Sequence, residues 1–327
     1  MTLGITVGKF YPFHLGHDYL IREAKKQVDA LVVLVGYKPT EAIPGNVRAN
    51  WIRLMHPDVE VIEVLDDLPE APEPWAKRAL EILGDRRPDF AFTSEAYGEP
   101  WARFMGATHR GIDPPRQNYP ISGTQLRANL AENWQMLTPG AKAYFAKRVC
   151  VLGVESSGTT TLAIALAQHY QTVWVPEYGR WYWEGRRYTP NADIWDSYEF
   201  TEIARGQLTM EDALATRANK LVICDTDPAA TYVWHRRYLG CDSPQVEQIA
   251  RSRSYDLYIL TEPDFDFVQD GTRESEEQRQ SMHQHFIEIL ENWEKPYISV
   301  GGDRSCRLSK VVEAIAPLLN FPPLTEL

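Results

Sequence analysis

At 327 residues, 44% of them hydrophobic, the chain is long enough for two domains that each bury a core. Its formal charge of -11 argues against a generally basic nucleic-acid binder, because phosphate backbones recruit clustered Lys and Arg, so any nucleotide has to be held by local groups. The four cysteines, Cys150, Cys224, Cys241 and Cys306, form no C-x-x-C pair and have no His at ligand spacing; they read as buried or free thiols.

MTLGITVGKF at the N-terminus lacks a basic segment followed by an apolar signal core, and no run of about 18 apolar residues follows, so a soluble, cytoplasmic protein without membrane insertion is expected. Apolar runs at LGITV, ALVVLVGY, VEVIEV and DFAFTSE alternate with helical patterns, the rhythm of a parallel sheet with crossover helices. The first helix is placed near His17, with Leu20, Ile21, Ala24 and Val28 on one face and Arg22, Lys25 and Lys26 facing outward. After LTPGAKAYFAKR a second series of strands runs through RVCVLG, TVWVPEY, KLVICDTD, YDLYILTEP and YISVGG. The expected fold is α/β, with two doubly wound parallel-sheet domains at 1–146 and 147–327 and no internal repeat. The acidic segment QDGTRESEEQRQ, ahead of the amphipathic MHQHFIEILENW, reads either as a solvated loop or as a mobile lid carrying Asp270-Gly271 and Arg273.

Three stretches carry chemistry. GKFYPFHLGH sets Gly8, Lys9 and Phe10 at the end of the first strand and His14 and His17 at the start of a helix, where unpaired N–H groups and two imidazoles favour phosphate. Two histidines near a turn are by themselves as readily structural as catalytic. YPISGTQLRANL adds Ser122, Thr124 and Arg127 at another helix start, read either as a hydroxyl, amide and guanidinium cluster for one phosphate group or as a simple Ser122 cap. GVESSGTTTL, residues 153 to 162, follows a strand and opens a helix in the manner of a phosphate loop, with Gly153, Gly158 and Thr160 in place and Thr159 where lysine is usual. Glu155, Ser156, Ser157 and Thr161 complete that cradle, whose backbone N–H groups need no cationic side chain.

Together, H-x-G-H and I-S-x-T-x-x-R resemble the nucleotidyltransferase superfamily, and the whole layout, with TSEAYG between them and a phosphate loop after them, resembles the NadR family. EYGR at 177–180, DTD at 225–227 and DGTR at 270–273 follow the family's kinase motifs in order. The resemblance implies a Rossmann-like adenylyltransferase domain joined to a P-loop kinase-like domain, making NAD from ATP and nicotinamide mononucleotide and phosphorylating nicotinamide riboside with ATP and Mg²⁺. It implies that His14, His17 and Arg127 stabilise adenylyl transfer, and that Gly8, Lys9, Phe10, Ser122 and Thr124 help bind that ATP. At the kinase site it implies Asp225 as base or metal partner, with Thr160 toward Mg²⁺ and Arg273 toward ATP. Glu177, Tyr178, Arg180, Trp181 and Asp227 are then the riboside-binding candidates, since a pyridinium ring favours aromatic faces and carboxylates. The chain starts two residues before its first strand, so the helix-turn-helix repressor module that some family members carry is not expected.

Thr159 divides the readings of the second domain. Either an arginine, Arg180 or Arg273, replaces the missing charge, or the domain is a nucleotide-binding sensor or a scaffold beside a working adenylyltransferase. Oligomeric state, monomer or homo-oligomer, stays open.

Overall fold

The computed structural model describes residues 1–264 and 276–324. In chain order the elements are β1 (Leu3–Gly8), α1 (Leu15–Lys25), β2 (Ala30–Tyr37), α2 (Gly45–Met55), β3 (Glu60–Leu65), α3 (Pro72–Leu83), β4 (Phe90–Thr93), α4 (Gly98–Met105), β5 (Thr108–Gly111), α5 (Gly123–Ala128), α6 (Pro139–Phe145), β6 (Lys147–Leu152), α7 (Thr159–Tyr170), β7 (Val173–Val175), α8 (Tyr178–Arg186), α9 (Ser197–Ala215), β8 (Leu221–Asp225), α10 (Pro228–Leu239), α11 (Pro244–Arg251), β9 (Leu257–Thr261), α12 (Glu276–Asn292), β10 (Tyr297–Val300) and α13 (Arg304–Ile315). They fall into two compact units, Met1–Ala141 together with the chain from Phe321, and Lys142–Asn320. Among the described residues no helix is long and apolar enough to cross a membrane.

The first unit is a parallel sheet of order β3-β2-β1-β4-β5. LVVLV of β2 is buried along its length, the composition expected of a strand covered by helices on both faces. Ile5, Val32, Leu34, Ala91 and Trp101 meet in its core with Ala76 and Ala79 of α3. β5, THRG, carries almost no apolar signal because it is an edge strand with one paired side, and only its pairing to β4 identifies it.

The second unit is a parallel sheet of order β10-β9-β6-β8-β7. All five of its strands are the apolar runs read from the sequence. β8 and β9 are buried at every residue, and Val149, Val151, Ile223 and Ile259 pack against Leu162, Leu166 and Val311 of the flanking helices. α12 begins six residues ahead of its amphipathic run. Asp270, Gly271 and Arg273 lie outside the described residues.

Candidate active sites

Strand order in the first sheet reverses at β1, so the carboxyl ends of β1 and β4 flank a crevice of the kind in which open α/β sheets bind ligands. A cavity of about 730 Å³ opens there, and Gly8, Lys9, Phe10, His14, His17, Ser122, Thr124 and Arg127 all line it.

His14 rather than His17 begins the helix. Its backbone is extended, and its Nδ1 accepts the Gly16 N–H at 3.1 Å, capping α1. An accepting Nδ1 leaves the neutral ring's proton on Nε2, which makes His14 a donor there. Burial, reinforced by the Arg116 charge, lowers its pKa to about 3. His17 stacks on it at 3.7 Å between ring centroids. The His17 pKa is also held well below the usual value, first by burial and then by the charges of His14 and Arg116, and its Nδ1 is buried without a hydrogen-bond partner. Two neutral imidazoles against guanidinium charges are poised to gain from an arriving anion.

Arg127 is held at both ends of its fork. Nη1 donates to the Tyr11 carbonyl at 2.7 Å, Nη2 to Thr124 Oγ1 at 3.2 Å, and the guanidinium lies 5.2 Å from the Tyr11 ring centre. Ser122 forms a reciprocal capping box with Gln125: its Oγ accepts the Gln125 N–H at 3.2 Å, and its own N–H donates to Gln125 Oε1 at 2.8 Å. The cap and the site therefore coexist. Lys9 is drawn to Asp66 at 3.3 Å and Glu41 at 3.6 Å. Arg116, paired with Glu95 at 3.0 Å, also lines the cavity, as do Trp75 and Tyr97. Tyr97 belongs to the TSEAYG stretch, but no motif marked Arg116 or Trp75, because the turn that carries Arg116 has no recognisable local pattern.

In the second unit the loop after β6 has the form its glycines require. A Cβ on Gly153 would stand 2.1 Å from Thr261 Oγ1 and 2.4 Å from Ser157 Oγ, and Gly158 has φ of 88°, which side chains resist. Ser157 is turned inward, its hydroxyl shared between the Val154 carbonyl at 2.7 Å and Thr261 Oγ1 at 2.6 Å, so of its expected role only the backbone remains. Glu155, Ser156 and Thr161 are exposed, and Thr159 and Thr160 are partly buried in the first turn of α7.

β8 pairs with β6, with Val151 opposite Asp225, which brings that carboxylate to the head of the loop. Burial raises the Asp225 pKa, opposed by hydrogen bonds from Thr160 and Thr159 and by the Arg180 charge. Glu177 is raised by burial and by Asp225, opposed by Arg180, whose Nε lies 3.7 Å from Glu177 Oε2. Tyr178 is tied down through its N–H to the buried Gln207 Oε1 at 2.8 Å and borders a groove with Tyr182, Tyr198 and Glu202. Trp181 is 63% exposed on α8, a helix that buries no residue.

Asp227 departs from expectation. It is 0% exposed: Oδ1 accepts the Ala230 N–H at 3.1 Å as the cap of α10, and Oδ2 accepts the Tyr258 hydroxyl at 2.8 Å. A carboxylate facing the core in this way is a structural group, and burial pushes its pKa up to about 6. Asp225 stays at the loop. Arg307, which no motif marked, lies beneath the loop. Its Nη1 donates to the Ser157 carbonyl at 2.6 Å and its Nε to the Gly302 carbonyl at 2.9 Å, and Nη2 reaches the Glu262 carbonyl and Asp264.

Residues 5–129 match the Cytidylyltransferase-like family, and residues 148–307 match the AAA domain family. The Trifunctional NAD biosynthesis/regulator protein NadR of Escherichia coli (strain K12) is 28% identical over 98% of this chain and 84% of its own length. The chain is a NadR-like protein. The solved NadR protein in complex with NR aligns to this NadR-like chain with a TM-score of 0.74 at 21% identity, over 98% of this chain and 96% of that one. NadR protein in complex with NAD and AMP-PNP aligns with a TM-score of 0.72 at 21% identity, over 98% and 97%. This NadR-like fold thus extends over both units.

Proposed function

We propose that this chain is a bifunctional enzyme of NAD biosynthesis and salvage. The first unit transfers an adenylyl group from ATP to nicotinamide mononucleotide, giving NAD and pyrophosphate, and the second phosphorylates nicotinamide riboside with ATP. The observation that carries the reading is the gathering of His14, His17, Thr124 and Arg127 around one cavity at the switch point of the first sheet.

In adenylyl transfer a mononucleotide phosphate oxygen attacks the ATP α-phosphorus in line, and the bond to the pyrophosphate leaving group breaks. The chain's task is to hold the triphosphate and steady the charge on the transferring group. His14 donates from Nε2, the Arg127 guanidinium, anchored by Tyr11 and Thr124, presents its charge and remaining N–H groups to the phosphates, and the amides opening α5 add donors. No protein nucleophile is required.

At the second site the loop amides cradle the triphosphate, Glu177 accepts from ribose hydroxyls, and Asp225 takes the 5′-hydroxyl proton as that oxygen bonds to the γ-phosphorus. Burial raises the Asp225 pKa, which improves it as a base. Thr160 and Asp225, hydrogen-bonded hard-oxygen groups, fit Mg²⁺ arriving with the nucleotide. Among the described residues no cluster of three or more His, Cys, Asp or Glu forms a protein-only cage. Bound there, Mg²⁺ supplies charge neutralisation at the β- and γ-phosphates.

Purified protein given Mg-ATP with mononucleotide, and separately with riboside, tests both halves by product identification. NAD and mononucleotide are the expected products. His17→Ala lowers NAD formation by about 100-fold or more while riboside phosphorylation continues. Failure to make NAD sinks the first assignment, and failure to phosphorylate riboside leaves the second unit a nucleotide-binding module.

A further inference from the structure

The phosphate loop lacks its lysine, and the residue in that place, Thr159, carries no charge. A γ-phosphoryl group in transfer still needs a positive charge facing it. Among the described residues two arginines bear on this question, Arg307 at the Ser157 carbonyl and Arg180 in the first turn of α8. Arg307 is 2% exposed, and its fork is committed to three carbonyls and Asp264. It fixes the loop's shape from below and has no path to a ligand above. The Arg180 side chain is 62% exposed, and its one ion pair is the loose 3.7 Å contact from Nε to Glu177. Among the described residues its two Nη groups make no hydrogen bond, so the end of the fork suited to a phosphate is open. Its root is firm, since it sits in the first turn of α8, whose leading Tyr178 N–H is anchored by Gln207.

We propose that Arg180 is the phosphate-facing cation of the second site, taking the part that Thr159 cannot. The inference rests on the kinase reading above. β7 lies beside β8 with Val175 opposite Cys224, so α8 opens at the same end of the sheet as Asp225 and the phosphate loop, and the exposed Arg180 side chain in its first turn can turn from Glu177 toward a nucleotide on the loop. In the step itself the riboside 5′-oxygen bonds to the γ-phosphorus, the bond from that phosphorus to the bridging oxygen of ADP breaks, and the hydroxyl proton passes to Asp225. Arg180 changes no bond; it donates N–H groups to γ-phosphate oxygens as their charge shifts. The competing role is positional, with Arg180 merely orienting Glu177 against the ribose.

The full-length protein with Mg-ATP and riboside separates the two. Arg180→Ala lowers kcat by about 100-fold with riboside KM little changed, and adenylyl transfer is unaffected. Placing the charge back at its usual position, in Arg180→Ala/Thr159→Lys, recovers at least about tenfold of that loss, as does adding guanidinium ion to Arg180→Ala. An Arg180→Ala rate within about twofold of wild type overturns the proposal, as does a loss that neither form of rescue relieves or one confined to riboside KM. Wild-type protein that phosphorylates no riboside overturns the kinase reading itself, a different result from an active wild type indifferent to Arg180.

Discussion

His14 shows how much one side chain can be asked to do. It caps α1, stacks on His17 and faces the cavity, and the same burial that fits it for these roles keeps it neutral. The depressed pKa has a consequence for stability. Between pH 6.5 and about 3 the unfolded chain protonates this imidazole while the folded chain does not. Its contribution is complete above the unfolded pKa and is lost on acidification, by about 1.4 kcal/mol per pH unit. Asp227, raised from 3.8 to about 6, has the opposite sign: its folded form holds a proton that the unfolded form releases, so it favours folding at low pH and ceases to as pH rises through 6. His14→Asn keeps a capping residue but removes the titration. Thermal melts at pH 7 and pH 5 should show a smaller acid loss for that variant than for wild type, and equal losses would show that His14 is not titrating as its burial requires. Asp225 and Asp227, two residues apart in one motif, point to opposite sides of the chain, one to the loop and one to the core.

At the scale of elements, the first site stands on a buried ion pair. Arg48 on α2 is fully buried with Glu41 at 2.5 Å, and it also donates to the carbonyls of Lys9, just past β1, and Gly36 in β2. It thereby holds the strand ends from which the cavity opens. Arg48→Met leaves Glu41 buried with the half-exposed Lys9 and the Lys38 N–H as its remaining partners, a change expected to cost about 3–5 kcal/mol in denaturant unfolding. Arg48→Met/Glu41→Leu should regain most of that, and a double variant as unstable as the single would remove the pair's claim to the effect. The strands themselves were legible because buried parallel strands are written as apolar runs, and the phosphate loop because its glycines are spaced by geometry. β5 was not legible, since an exposed polar edge strand differs from a loop only in what it pairs with. Nor was the early start of α1, since a histidine cap is seen only once the Gly16 N–H is found on its ring.

Across the whole molecule, the two units each own a sheet, a core and a crevice, but the chain does not divide into halves. From Phe321 it rejoins the first unit, where the Phe321 ring lies 5.6 Å from Trp134 and the Leu324 N–H donates to the Arg127 carbonyl at 2.9 Å. A residue of the first site is thus steadied by the last stretch of the sequence. Deleting residues 321–327 removes, among the described residues, that aromatic contact and that hydrogen bond, expected to weaken ATP binding at the first site by about 1 kcal/mol, or about fivefold. Titration of ATP against adenylyl transfer measures it, and a truncated protein with unaltered affinity would make the tail incidental to Arg127. The amino-acid sequence by itself determined the two α/β units, the glycine-shaped loop and the residue types able to meet phosphate, because periodicity and turn chemistry are local. Only the tertiary structure decided that Asp227 faces inward, that Arg116 charges the first cavity, that Arg307 is spent beneath the loop while Arg180 stays exposed beside Glu177, and that Leu324 returns to Arg127. Burial and partnership are properties of packed neighbours distant in sequence, and no local pattern encodes them.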